Sequence, residues 1–307
     1  KLDRERAWNA MKEQIADPLG LTVEDAAAGV IELLDSDLRD YLRSMISGKG
    51  STPGNFVCFS YGGAGPVHTY GYTEGLGFED VIVPAWAAGF SAFGCAAADF
   101  EYRYDKSLDI YIAMDSAGDQ KATQAKTLQS AWEELKERVL EEFEINGYSA
   151  DKVTLQPGFR MQYRGQLNDL EIESPVPEAH SAEDWDKLVE AFNATYGRVY
   201  DASARSPELG YSVTGAIMRG TVPIPKPKIP KEELGPETPP EEARLGTRKF
   251  YRHKKWVDAQ LYQMETLQPG NRITGPAIIE SDATTFVVPG GFETFLDGHR
   301  LFHLKEV

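Results

Sequence analysis

The stretch from Asn55 to Asp99, NFVCFSYGGAGPVHTYGYTEGLGFEDVIVPAWAAGFSAFGCAAAD, constrains the fold more than any other. Phe56 to Ser60 is a short apolar run between polar Asn55 and a cluster of glycines, the pattern of a strand buried on both faces. Gly62, Gly63, Ala64, Gly65 and Pro66 follow at once, and then an apolar-periodic stretch from Val67 to Leu76. Strand, glycine turn and helix in that order bring bare backbone N–H groups against a ligand. Pro66 stands where a first helical turn tolerates proline, since its missing N–H would have no partner within the helix. Asp80 to Pro84 is a second short strand, so the unit reads β-α-β.

The same glycines also suit a tight turn with close helix packing, and the full dinucleotide fingerprint G-x-G-x-x-G is absent. Gly75 and Gly77 read as the helix end and the turn into the next strand. His68 lies one helical step into the helix. It either meets a phosphate or base, or is buried and hydrogen-bonded. The Ala- and Gly-rich run from Ala85 to Asp99 packs closely, or forms a subunit interface or channel wall.

Asp3 can cap a helix from Arg4 to about Ala16, with Ala7, Trp8, Met11 and Ile15 on one face and Pro18 and Gly20 ending it. Thr22 with Asp25 starts a second, long helix. Apolar residues from Val23 to Met45 recur along it at helical spacing, as in a core helix with a solvated charged side that carries Arg39 and Arg43. Phe100 to Ile112 alternates like a half-exposed strand. Ser116 to Asn146 is a helix with the stripe Leu128, Ala131, Trp132, Leu135, Val139 and Phe143. Val153 to Glu173 reads as two strands, where Arg160, Tyr163, Arg164 and Gln166 are candidate contacts to a ligand or neighbour, or part of a polar sheet face.

Ser181 caps a third helix, with Trp185, Leu188, Val189, Phe192 and Tyr196 inward and Gly197 at its end. Tyr211 to Met218 is a strand. Residues 221–243 are rich in proline and charge, an extended arm that straps its own domain or wraps a neighbour. The rest is a series of short strands broken by glycine and proline turns, read as a small β sandwich or barrel-like cap. His299 and His303 stand four apart in a strand context and make no clean chelating pair, so no metal site is assigned.

The chain has 307 residues, enough for one large or two medium domains with real cores. Its 32 basic and 48 acidic residues leave a net charge of −16, which disfavours nucleic acid and anionic lipid as partners. No apolar run is long enough to span a bilayer, and the start carries no signal peptide. Cys58 and Cys95, both in apolar surroundings, suggest reduced, buried thiols in a cytoplasmic protein. Lys1 opens inside a helical pattern with no initiator Met, so the chain reads as a piece of something longer.

FSYGGAGPVHTYGYTEGLGFEDVIVP and AAGFSAFGCAAADFEYRYD closely resemble the hydantoinase A/oxoprolinase family. The likeness continues through RMQYRGQLNDLEIESP and GPAIIESDATTFVVPGGFETFLDG, essentially to the end. Within the family, the resemblance is nearest to the multisubunit ATP-dependent carboxylases of ketones. It implies an α/β fold: the C-terminal part of an actin-like or sugar-kinase-like ATPase domain over 1–105, then an α+β domain over 106–220, the linker arm over 221–243 and a β-rich domain over 244–307.

The resemblance also implies that Gly62, Gly63, Ala64, Gly65, Pro66 and His68 hold the adenosine and nearby phosphate side of ATP or AMP. Magnesium and the phosphate loops are expected in an absent N-terminal half of the same subunit. Manganese is expected in a partner α subunit, with a small γ subunit completing the complex. Bicarbonate and acetone are the implied substrates, acetoacetate the product, and AMP and phosphate the by-products. A hydrolase of cyclic amides such as hydantoin or oxoproline, and a chain that mainly docks subunits, are the alternatives. No catalytic acid, base or nucleophile is assigned.

Overall fold

The computed structural model describes residues 3–307. It begins with α1 (Arg4–Met11), a π-helical turn over Lys12–Ala16, α2 (Asp17–Leu19) and the long α3 (Val23–Ser47). Asp3 accepts the Arg6 N–H at 3.0 Å, and Thr22 Oγ1 accepts the Asp25 N–H at 3.1 Å, so both expected caps form. Pro18 falls in the last turn of this continuous helical run, and Gly20 at φ +66° ends it. Then come β1 (Val57–Phe59), α4 (Gly65–Thr73), β2 (Asp80–Pro84) and α5 (Phe90–Ala97). β1 and β2 are parallel, with Val57 opposite Asp80, which completes the β-α-β unit.

β3 (Phe100–Ile112), α6 (Gly118–Ile145), β4 (Thr154–Tyr163), β5 (Leu170–Glu173), α7 (Ala182–Tyr200) and β6 (Tyr211–Val222) follow. The C-terminal strands are β7 (Arg244–Arg252), β8 (Lys255–Gln263), β9 (Arg272–Thr274), β10 (Ala277–Glu280), β11 (Thr285–Val288), β12 (Phe292–Leu296) and β13 (Leu301–Glu306). The result is mixed α/β with several sheets.

Two compact units divide the chain. One takes the residues up to Ser47, Thr52–Ala96 and Pro227–Val307, and the other takes Gly48–Ser51 and Ala97–Lys226. This grouping differs from the four consecutive segments expected from sequence. The reason is that β13 pairs antiparallel with β2, which draws the C-terminal strands into the same unit as the β-α-β motif. The five-stranded sheet β1-β2-β13-β12-β9 and the four-stranded sheet β11-β10-β8-β7 share one core, in which Val83, Phe302 and Ile273 meet Ile279, Phe286 and Val288. Residues 244–307 thus supply all of one sheet of this sandwich and three of the five strands of the other, which β1 and β2 complete.

The proline-rich arm straps its own unit. The Glu232 N–H donates to Gly298 O, the Gly235 N–H to Pro269 O and the Arg272 N–H to Glu237 O, each at 2.7 Å.

Three expectations are corrected in this unit. β1 is not buried on both faces: it is the outermost strand of its sheet, and Val57 and Phe59 are each 41% exposed. α3 is not a core helix, because only Ala26 on it is buried and Leu33 is 68% exposed. Cys95 is exposed on α5, a helix with no buried residue, so the two thiols are not both interior.

The second unit is an antiparallel sheet of order β3-β6-β4-β5 with α6 and α7 packed on one face. The expected α6 stripe is buried, and Trp132 Nε1 donates to Gly158 O at 2.7 Å. Ser181 and Asp184 form a reciprocal capping box at the start of α7. Gly197 does not end α7, which runs on to Tyr200. It is a point of close approach, since a Cβ there would lie 2.4 Å from Arg205 Nη2.

Candidate functional site

The glycine turn lies in the first unit, between β1 and α4. Ser60, buried at the end of β1, donates its N–H to Ile82 O at 2.8 Å, and its Oγ accepts the Thr69 hydroxyl of α4 at 2.6 Å. These bonds fix where the turn leaves the sheet. The Gly62 N–H donates to Ala87 O at 2.8 Å, and Gly62 takes φ +89°, a conformation a Cβ would strain. Ala64 precedes the helix at φ −101° and ψ −22°, and Pro66 fills the first turn as expected.

Gly63 and Ala64 are exposed. Among the described residues no hydrogen bond reaches the N–H of Gly63, Ala64 or Gly65. Open N–H groups at a helix start, beside a residue at positive φ, make a concavity suited to an anion. A phosphate fits this donor set, which offers N–H groups and no carboxylate of its own.

Residues remote in sequence frame the turn. Thr284, buried in the loop between β10 and β11, donates its hydroxyl to Gly62 O at 3.1 Å and Gly63 O at 3.0 Å. Ser281 shapes that loop by accepting the Thr284 N–H at 3.1 Å. On the helical side, His68 Nδ1 lies 2.8 Å from Asp35 Oδ1 of α3, with both side chains mostly covered. A carboxylate only accepts, so Nδ1 carries the proton. Arg39 donates twice to Gly71 O, at 2.7 and 3.2 Å, and Arg43 pairs with Asp40 at 3.6 Å. Both arginines thus have partners, on α4 and α3 respectively.

Thus Gly62, Gly63, Ala64, Gly65, Pro66 and His68 come together in one place, while Asp35 and Thr284 were not anticipated. Asp35 and His68 stand in separate helices 33 residues apart, and no local pattern pairs them. Thr284 likewise gives no signal, because it stands far down the chain.

Other candidates are held within their own units. Burial pushes the Cys58 thiol up to about 11, which keeps it protonated and poorly nucleophilic. Arg160 donates to Asp105 at 2.7 Å, the Tyr163 hydroxyl to Asn193 at 2.6 Å and Gln166 to the Tyr196 hydroxyl at 2.7 Å. Arg164 stacks on Tyr111 at 4.5 Å. His299 Nδ1 lies 3.2 Å from Pro230 O and His303 Nδ1 lies 2.6 Å from Asp80, so the two rings have separate partners. Among the described residues no group of three or more His, Cys, Asp or Glu is arranged to hold a metal ion, and no helix is long and apolar enough to cross a membrane.

The chain is a mixed α/β protein whose glycine turn, between β1 and α4, leaves backbone N–H groups open. The chain belongs to the hydantoinase/oxoprolinase family: the hydantoinase/oxoprolinase model matches residues 1–104, and the model of the family's C-terminal domain matches 115–307. It is 80% identical over its whole length to the acetone carboxylase beta subunit of Xanthobacter autotrophicus, covering 43% of that protein. It is 32% identical, also over its whole length, to the acetophenone carboxylase gamma subunit of Aromatoleum aromaticum, covering 42% of it. The chain thus spans less than half the length of these curated relatives. A solved nucleotide-free structure of acetone carboxylase, from work on the mechanism of ATP-dependent acetone carboxylation, is 80% identical. It matches all of this chain and 43% of its own, with a TM-score of 0.68.

Proposed function

We propose that the chain is part of an ATP-dependent ketone carboxylase of the acetone carboxylase kind, in which it contributes backbone donors to the nucleotide site. The observation that carries this reading is the 80% identity, over the full chain, to an acetone carboxylase beta subunit. The open N–H groups of Gly63, Ala64 and Gly65 support it, because a nucleotide phosphate needs such donors.

The chemistry is coherent. Bicarbonate is a poor electrophile and a ketone methyl is a weak carbon acid. ATP, when bound, supplies phosphoryl groups that activate both on the way to acetoacetate, leaving AMP and phosphate. Phosphoryl transfer depends largely on positioning and charge neutralisation, which backbone donors and a fixed helix provide. In this reading residues 1–105 are the C-terminal part of an actin-like or sugar-kinase-like ATPase domain, working in the cytoplasm. Gly62, Gly63, Ala64, Gly65, Pro66 and His68 meet the adenosine and its nearby phosphate. The magnesium site belongs to the preceding portion of the subunit, and manganese to an α subunit in a complex with a small γ subunit.

The same reading accounts for the exposed apolar residues. Leu33, Leu34 and Ile31 of α3 and Val57 and Phe59 of β1 lie open, and a groove of about 330 Å³ lined by Ile15, Leu19, Val30 and Leu33 runs along α3. We assign this face to the preceding portion of the subunit, which makes up most of the length of the longer relatives. Burying one such leucine contributes about 1.5–3 kcal/mol.

The test is the purified full-length assembly given ATP and bicarbonate with acetone and, in parallel, ATP with hydantoin or oxoproline. Acetoacetate with AMP release supports the reading. ATP-dependent ring opening without acetoacetate overturns it.

A further inference from the structure

The open N–H groups of the glycine turn need a reason to stay open. A glycine-rich loop has many conformations, and most of them would turn these groups elsewhere. In a planar trans peptide the C=O of one residue and the N–H of the next point to opposite sides. The Gly62 and Gly63 carbonyls both converge on a single hydroxyl, that of Thr284, at 3.1 and 3.0 Å. The Gly63 and Ala64 N–H groups therefore face away from Thr284, toward the side where both residues are exposed.

We propose that Thr284 is a positioning residue for the anion site. Its hydroxyl holds two carbonyls inward so that two successive N–H groups present themselves outward to a phosphate. This inference rests on the reading of the turn as the nucleotide site, and it adds a residue from the opposite end of the chain.

Several features make Thr284 suited to the role. It is 5% exposed, so its hydroxyl has no competing water shell. Its own backbone is set by Ser281, which accepts the Thr284 and Ala283 N–H groups and whose N–H donates to Thr284 O at 2.9 Å. Ala283 O lies 3.5 Å from where a Gly63 Cβ would stand, so the loop backs the turn closely without crowding it. Pre-orienting donors before the ligand arrives removes an ordering cost from binding.

The experiment is calorimetric titration of the full-length assembly with AMP, for Thr284→Val, Thr284→Ser and Gly63→Asp, with thermal melting of each. Thr284→Val keeps the shape and loses the hydroxyl, whereas Thr284→Ser keeps the hydroxyl. The expected result is AMP affinity reduced about tenfold or more in Thr284→Val and within about threefold of wild type in Thr284→Ser, with both melting near wild type. That rescue separates positioning from packing, since serine lacks the methyl that packing would need.

Weak binding by Gly63→Asp with wild-type binding by Thr284→Val overturns the inference and spares the site. Wild-type binding by Gly63→Asp removes the site reading itself. Should Thr284→Val unfold, Thr284→Ala removes the hydroxyl without the second methyl, and the same affinity criterion applies.

Discussion

Asp35 Oδ1 on α3 lies 2.8 Å from His68 Nδ1 on α4, and its Oδ2 occupies the space where a Cβ on Gly71 would sit, 1.9 Å away. The carboxylate thus touches the helix that follows the glycine turn at two positions, His68 and Gly71. Arg39, one turn along α3 from Asp35, adds its two bonds to Gly71 O. α4 is held against α3 by this polar clamp, with Gly71 permitting the approach.

Gly71→Ala therefore runs against the usual helix preference. In an open helix the change stabilises by up to about 1 kcal/mol. Here the methyl overlaps the Asp35 carboxylate, and overpacking of this kind costs about 1–3 kcal/mol. Denaturant melts of the full-length subunit check the sign. A variant more stable than wild type contradicts the clamp.

Leu33→Glu and Asp37→Ala probe the open face of α3, where both residues are exposed. If the preceding portion covers this face, as proposed, Leu33→Glu in the full-length subunit is expected to destabilise by about 2 kcal/mol. Asp37→Ala is expected to fall within about 0.5 kcal/mol of wild type, as ordinary surface changes do. Equal, small effects for both remove the docking assignment.

The two cysteines differ in access and chemistry. Cys58 has its thiol raised to about 11 by burial, while Cys95 is exposed. At pH 8 a thiol-specific reagent applied to the chain alone is expected to modify Cys95 first, with Cys58 reacting only after denaturation. Fast labelling of Cys58 in the folded protein contradicts its placement.

Acid should loosen the second unit through its carboxylates. Arg103 donates to Asp105 and holds its carboxyl below the usual range, while the His180 N–H and the Ser181 hydroxyl do the same for Asp184. A lowered folded pKa gives stability that is present above the unfolded value, about 3.9, and is lost as pH falls through the folded value. Melting temperature is expected to hold between about pH 7 and 5 and to drop below about pH 4. Asp105→Asn should remove part of that drop, and an unchanged acid limb in the variant would count against the pairing.

What could be read from the sequence was mostly local. The capping of α1 by Asp3 and of α7 by Ser181, the stripe of α6 and the strand–turn–helix order around Gly62 each depend on neighbours within a few residues. The apolar stripe of α3 told which face seeks burial, but a stripe does not say what covers it. The pairing of β13 with β2 joins residues more than 200 apart, as Phe302 opposite Val83 shows, and no short-range pattern encodes it. Thr284 escaped notice for the same reason: a threonine before a β strand is unremarkable until the fold sets it under two glycine carbonyls.

The central claim is that the glycine turn meets the nucleotide. Gly63→Asp in the full-length assembly tests it most directly, by calorimetry with AMP and ATP. The substitution sets an anion where backbone N–H groups must face a polyanion, and Gly63 is exposed with only Ala283 O near its missing Cβ, at 3.5 Å, so the fold has room for it. Loss of binding with assembly and melting intact is the predicted result. Nucleotide affinity equal to wild type would place the site elsewhere and leave this chain as a scaffold for its partners.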